Sequence, residues 1–218
     1  MLVGHYASAF AGKTLAPSAP LWSFVLASQA LDVVWCGLVM TGVETARVDA
    51  SLPGAPLSLD FMPYSHSLPT AIIWSVLFAL AFGKLLKLPG KAATLLGVVV
   101  FSHWALDVIV HRPDLGLWFD QMKVGFGMWN IPVTEATFEA GLLGFAALFW
   151  AGLRARGGES VWPAAAFFGF LIATQIVTQI SPLPESAQAT AASTLGIYML
   201  ATLLAWLVER KPHAASRA

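Results

Sequence analysis

The chain has 218 residues, of which 57% are hydrophobic and only 11% charged, with 12 basic and 12 acidic side chains in balance. A soluble globular domain carries about 25% charged residues, so these figures exclude an ordinary soluble enzyme and a disordered chain, and a single cysteine, Cys36, excludes a disulfide scaffold. A mean hydropathy of +0.71 and the lack of any basic stripe point to a lipid bilayer, not nucleic acid, as the partner.

Residues 2–16 are mildly apolar, too short to span a bilayer, and lack the basic start of a secretory signal. They read as a half-membrane (re-entrant) helix turned back at Pro17-Ser18-Ala19-Pro20; an amphipathic helix on the membrane surface is the alternative. Six apolar runs follow, Leu21–Met40, Leu68–Phe82, Ala92–Val110, Ala136–Leu153, Val161–Ile180 and Ala187–Val208. Pro89-Gly90 separates the second from the third, and Pro132 is placed to open the fourth. The expected fold is all-α: a polytopic helical membrane protein with six transmembrane helices and the N-terminal half-helix. It forms one integral membrane domain over 1–218, with the half-helix at 1–16 and a motif-bearing four-span core at 21–154. Two accessory spans at 161–209 and a polar tail at 210–218 complete it.

Lysine and arginine set the expected orientation. Nine of them (Lys13, Lys84, Lys87, Lys91, Arg154, Arg156, Arg210, Lys211, Arg217) fall on one side, and three (Arg47, Arg112, Lys123) on the other. The positive-inside rule puts both termini on the cytoplasmic side and the long acidic loops 41–66 and 111–135 outside.

Ionisable residues at bilayer depth are expensive, and each is a functional hypothesis. Here they are His5, Asp32, His66, His103, Asp107 and Glu139, with His111 at the end of its span and His213 out in the tail. At 1.5 Å of rise per residue, Asp32, His5 and His103 each lie about 18 Å above the inner face, Glu139 about 22 Å, Asp107 about 24 Å and His66 about 27 Å. All fall in the outer half. His103, Asp107 and His111 follow at i, i+4 and i+8, so they share one helix face. An imidazole–carboxylate pair at that spacing can chelate a divalent metal such as zinc, manganese or iron. A buried ion-pair network that pins helices together is the plainer alternative.

The motif order Gly4-His5, Gln29-Ala30-Leu31-Asp32, Pro63-Tyr64-Ser65-His66-Ser67 and Ser102-His103-Trp104-Ala105-Leu106-Asp107 resembles the YdjM-like family of bacterial inner-membrane proteins, described as membrane-bound metal-dependent hydrolases. The resemblance covers roughly residues 1–115. Ala30 stands where the family has a second aspartate, and Met62-Pro63-Tyr64 replaces an earlier histidine; Glu44, Glu139 or water could substitute. What the resemblance implies is a bacterial inner-membrane hydrolase; it fixes no substrate.

In an enzyme, His5, Asp32, His66, His103 and Asp107 would hold metal, most simply zinc. Five candidates exceed the three protein ligands of a typical catalytic zinc, so either some only orient the others or two metals bind. Glu139 would be a general base, raised in pKa by burial, and His111 an acid for the leaving group. Arg112 would hold an anionic headgroup, with Tyr64, Trp129 and Asn130 beside it. The substrate would be a lipid, a lipid-linked molecule or a small extracytoplasmic ester or phosphoester. A transporter or permease, and a non-catalytic metal-binding scaffold, are the other classes. Only Gln175 and Gln179 are polar in the middle of the last two spans, and no inverted repeat is visible.

Overall fold

A computed structural model describes residues 1–209. Arg210, Lys211, His213 and Arg217, used above for orientation and for the tail, lie outside the described residues. The chain forms α1 (Tyr6–Leu15), α2 (Leu21–Ser28), α3 (Ala30–Met40), β1 (Thr45–Val48), β2 (Leu57–Phe61), α4 (Leu68–Leu85) and α5 (Gly90–Val110). It continues through β3 (Leu115–Trp118), β4 (Gln121–Val124), a 3-10 turn (Met128–Asn130), α6 (Pro132–Arg156), α7 (Trp162–Ile180) and α8 (Ala187–Glu209). Five helices, α4 to α8, are long and apolar enough to cross a membrane, and α2 with α3 makes a sixth, bent by 52°. The all-α membrane architecture is as expected.

Proline and hydroxyl chemistry start these helices where the sequence says. Ser67 caps α4 in a capping box with Thr70, and Pro132 occupies the first turn of α6. Ile72, Ile73, Val76, Leu77 and Leu80 on α4 and Phe145, Leu148 and Phe149 on α6 are all exposed. Patches this apolar suit a lipid-facing surface. Where α4 meets α5 the backbones approach closely: a Cβ on Gly97 would lie 2.9 Å from the Ser75 carbonyl and 3.1 Å from the Ala79 methyl.

The ten-residue α1 reaches about 15 Å, half the hydrocarbon core. It packs between α6, α2 and α5, with Tyr6, Ala9 and Phe10 buried. The surface-helix alternative is thereby overturned, because α1 supplies core rather than cover. Its far end is clasped by charge. Lys13 Nζ lies 2.6 Å from Glu209 Oε1 and donates to the Pro17 and Ala19 carbonyls at 3.0 and 2.8 Å, and Glu209 also accepts the Leu21 amide. The turn at 16–20 is thus tied to the end of α8.

Two features depart from the sequence reading. The run Leu21–Met40 is not one straight helix but breaks at Gln29, whose φ and ψ are −113° and 8°. The two long acidic loops, read without strands, each hold an antiparallel hairpin, β1–β2 and β3–β4, at one end of the bundle. In the first, Arg47 Nε donates to Asp60 Oδ2 at 2.7 Å, and this guanidinium holds the Asp60 carboxyl below its usual range.

Candidate metal centre

The three-residue stripe on α5 is the base of the site. His103 and Asp107 are buried, and His111 follows at the C-cap. Asp107 uses both oxygens. Its Oδ1 is 3.1 Å from His5 Nε2 and 3.3 Å from His111 Nε2, with the Met1 α-ammonium group at 3.1 Å. Its Oδ2 is 3.1 Å from His103 Nε2 and 3.7 Å from His66 Nε2. Asp32 reaches in from α3, with Oδ1 3.2 Å from His66 Nε2 and 3.5 Å from His103 Nε2. All five residues read from the sequence as ligands therefore meet in one place, and His111 joins them.

The outer nitrogens explain why the inner ones point inward. His103 Nδ1 donates to the Ser28 carbonyl at 2.7 Å; the helix break after Ser28 puts that carbonyl within its reach. Ser65 Oγ donates to Glu44 Oε2 at 2.6 Å and so accepts from His66 Nδ1 at 2.8 Å. His111 Nδ1 donates to Asp114 Oδ1 at 2.9 Å. Each bond places a proton on Nδ1, so that in the neutral ring the Nε2 lone pair faces the carboxylates. With the rings neutral, lone pairs face lone pairs in a buried site, an arrangement that a cation between them would stabilise. His103 Nε2, both His5 nitrogens and Asp107 Oδ2 are buried without a hydrogen-bond partner, which fits a group not yet accounted for.

The spacing also fits. Two ligands of a tetrahedral zinc, each about 2.0–2.1 Å from the ion, stand about 3.4 Å apart, and the Nε2-to-oxygen separations run from 3.1 to 3.7 Å. His5, His103 and Asp107 form one set that can hold a metal ion, and Asp32, His66 and His103 another. The donor chemistry suits zinc, manganese or iron without choosing among them.

Glu139 does not behave as a base in waiting. Its Oε1 accepts the Leu2 amide at 3.1 Å, and its Oε2 accepts those of Val3 and Gly4 at 2.7 and 2.8 Å. The carboxylate thus gathers the three amides just ahead of α1, holding His5 in place. Gly4 is part of this seat, since a Cβ there would press on Glu139 Cγ at 3.2 Å. Glu139→Ala leaves the buried Val3 and Gly4 amides without an acceptor, each costing about 1–3 kcal/mol, and frees the partly buried Leu2 amide. Residues 1–5 are then expected to detach, read as new protease cleavage ahead of Tyr6 with helix content unchanged.

Arg112 is likewise committed elsewhere. Nε donates to Asn130 Oδ1 at 3.0 Å, Nη1 to the Ala55 carbonyl at 3.2 Å and Nη2 to the Pro53 carbonyl at 2.6 Å. The guanidinium lies 5.6 Å from the centre of the Trp129 ring. It ties the first hairpin's loop to the segment before α6, and Asn130 helps it. Trp129 packs on the His111 ring at 3.9 Å. Tyr64 is half-exposed on the rim, its amide donating to Glu44 at 2.8 Å. Two contributors went unread in the sequence: Tyr198 on α8, whose hydroxyl donates to Asp32 Oδ2 at 2.5 Å, and Ser65 behind His66; Glu44, read as a possible substitute ligand, instead accepts from Ser65. A lone tyrosine inside an apolar span is the signal that could have found the first.

No family model, curated protein or solved structure matches this chain.

Proposed function

We propose that the chain is a membrane-embedded, metal-dependent hydrolase of the YdjM-like kind, acting on a lipid, a lipid-linked molecule or a small extracytoplasmic ester or phosphoester in a bacterial inner membrane. The observation that carries this reading is the buried ring of imidazoles, each of three fixed by an acceptor on Nδ1 and aimed through Nε2 at two carboxylates. A divalent ion held there would supply Lewis acidity, activating water and polarising the bond to be cleaved. His66 and His103 keep their lone pairs inward through Ser65 and Ser28. Tyr198 fixes Asp32, whose side chain is 18% exposed while that of Asp107 is 1% exposed. Asp32 is thus the more accessible of the two carboxylates, and Glu139 holds the N-terminal segment instead of acting as base.

The surroundings favour hydrolysis over transport. One and two turns below His103 on the same face of α5 stand Val100, Val99 and Leu96, all buried. Beside them Phe10 packs on Trp150 at 5.2 Å and edge-on to Phe167 at 5.8 Å. An apolar floor suits a blind pocket, and a solute path needs polar groups there. A thiol-reactive, membrane-impermeant probe tests floor and orientation together in a Cys36→Ser background. Ser51→Cys is expected to react on intact cells, while Lys84→Cys reacts only after lysis and Val99→Cys in neither case. Reaction at Val99→Cys would replace the pocket with a through-path.

The activity test uses purified protein in mixed micelles, with diacylglycerophospholipid, isoprenoid diphosphate and a short-chain nitrophenyl ester as substrates. Release of headgroup, phosphate or nitrophenol should require added metal and vanish in His103→Ala. Bound metal without any turnover would make the cluster a structural clamp.

A further inference from the structure

We propose that the cluster is two metal sites bridged by Asp107, with His111 a ligand of one of them; the inference rests on the metal-binding reading above and goes beyond it in number and in ligands. The carboxylate divides its partners. Oδ1 meets His5, His111 and the Met1 amino group, while Oδ2 meets His103 and His66, with Asp32 closing that second set. A carboxylate whose two oxygens face separate ligand sets is placed to bridge two ions.

The stacking of His5 on His103 separates one ion from two. Their ring centroids are 3.6 Å apart and their planes 9° from parallel. Both Nε2 atoms lie 3.1 Å from the same carboxylate, His5 at Oδ1 and His103 at Oδ2. The two stacked rings thus turn their Nε2 atoms to the two oxygens of one carboxylate, from rings 3.6 Å apart. A single ion between them would lie half the stacking distance off each lone-pair axis, a poor direction for coordination. Two ions, one on each axis, would stand about as far apart as the rings, and two-metal hydrolytic sites are spaced about 3.5–4 Å.

His111 completes the first set. Its Nδ1 is bonded to Asp114 and its ring is seated on Trp129, so Nε2 has one direction to face, toward Oδ1. An acid for the leaving group would need that nitrogen to carry a proton. As a ligand it would offer the lone pair instead, which the neutral ring carries on Nε2 when Nδ1 donates to Asp114.

The test counts metal in detergent-purified full-length protein after dialysis against zinc or manganese alone. Wild type should hold two ions per chain, and His111→Ala and Asp32→Asn one each. In the manganese form the paramagnetic spectrum should be exchange-coupled in wild type and that of an isolated ion in His111→Ala. Saturation of wild type at one ion, or an uncoupled spectrum from wild type, would overturn the bridge, as would two ions in a well-folded His111→Ala. If that variant aggregates, the wild-type count and spectrum still decide. One ion with turnover would leave the hydrolase standing and the bridge refuted; two coupled ions without turnover would do the reverse.

Discussion

Asp107→Asn is expected to weaken metal binding by more than about 100-fold, because losses among groups that merely orient ligands already cost 10–100-fold. The amide keeps the carboxylate's shape but removes its charge. It also puts an NH2 where an oxygen faced imidazole lone pairs. Asp107 lies against four imidazoles and an ammonium group at 3.1–3.7 Å, so no single change elsewhere touches as many partners. Metal bound only by the folded state stabilises it by linkage. A chelator should therefore lower the melting temperature of the wild type and leave that of Asp107→Asn unmoved. A wild type indifferent to chelator, with no metal by elemental analysis, would reduce the cluster to an ion-pair network.

The site's membership was legible because charged and imidazole groups stand out against apolar runs, and because helix geometry converts their spacing into depth and face. His103, Asp107 and His111 needed only the i, i+4 rule. What was not legible is the backbone's part. The partners of Glu139 and Arg112 are backbone amides of residues 2–4, which donate, and carbonyls of residues 53–55, which accept; neither carries a side-chain signature. A buried glutamate therefore read as a base, and an arginine beside the site read as an anion clamp. The break at Gln29 was hidden for the same reason. Neither glycine nor proline marks it, and the carbonyl of Ser28 at its edge is used by His103, a residue on another helix. Tyr198 was missed because a tyrosine near an apolar run reads first as an interfacial anchor. Its contact with Asp32 makes α8 part of the site's support, although α8 carries none of the motifs.

Filling the groove beside the site is expected to separate lipid substrates from soluble ones. Between α1 and α6 lies a groove of about 380 Å³, lined by Ala7, Ser8, Ala11, Leu142, Phe145 and Phe149 among others. Its upper end begins within one turn of His5 on α1 and of Glu139 on α6, and it runs along both helices away from the cluster. The Ser8 hydroxyl is turned back onto the His5 carbonyl at 2.8 Å, which leaves the wall apolar. Such a channel, open to the side at bilayer depth, suits an acyl or isoprenoid chain whose polar end reaches the imidazoles. Bilayer and groove are equally apolar, so the groove would contribute orientation, not affinity. A misplacement of about 1 Å at a reacting centre can cost 10²-fold in rate. Ala11 is exposed, so Ala11→Trp fills the channel without disturbing the core. Turnover of a long-chain lipid should fall by at least about tenfold, chiefly in kcat. Turnover of the short-chain nitrophenyl ester and the metal content should stay at wild-type levels. An equal loss on both substrates would mean that the tryptophan reached the metal ligands. No loss on either would leave the groove as ordinary lipid-facing surface, and the substrate would then have to enter from the hairpin end, past Tyr64.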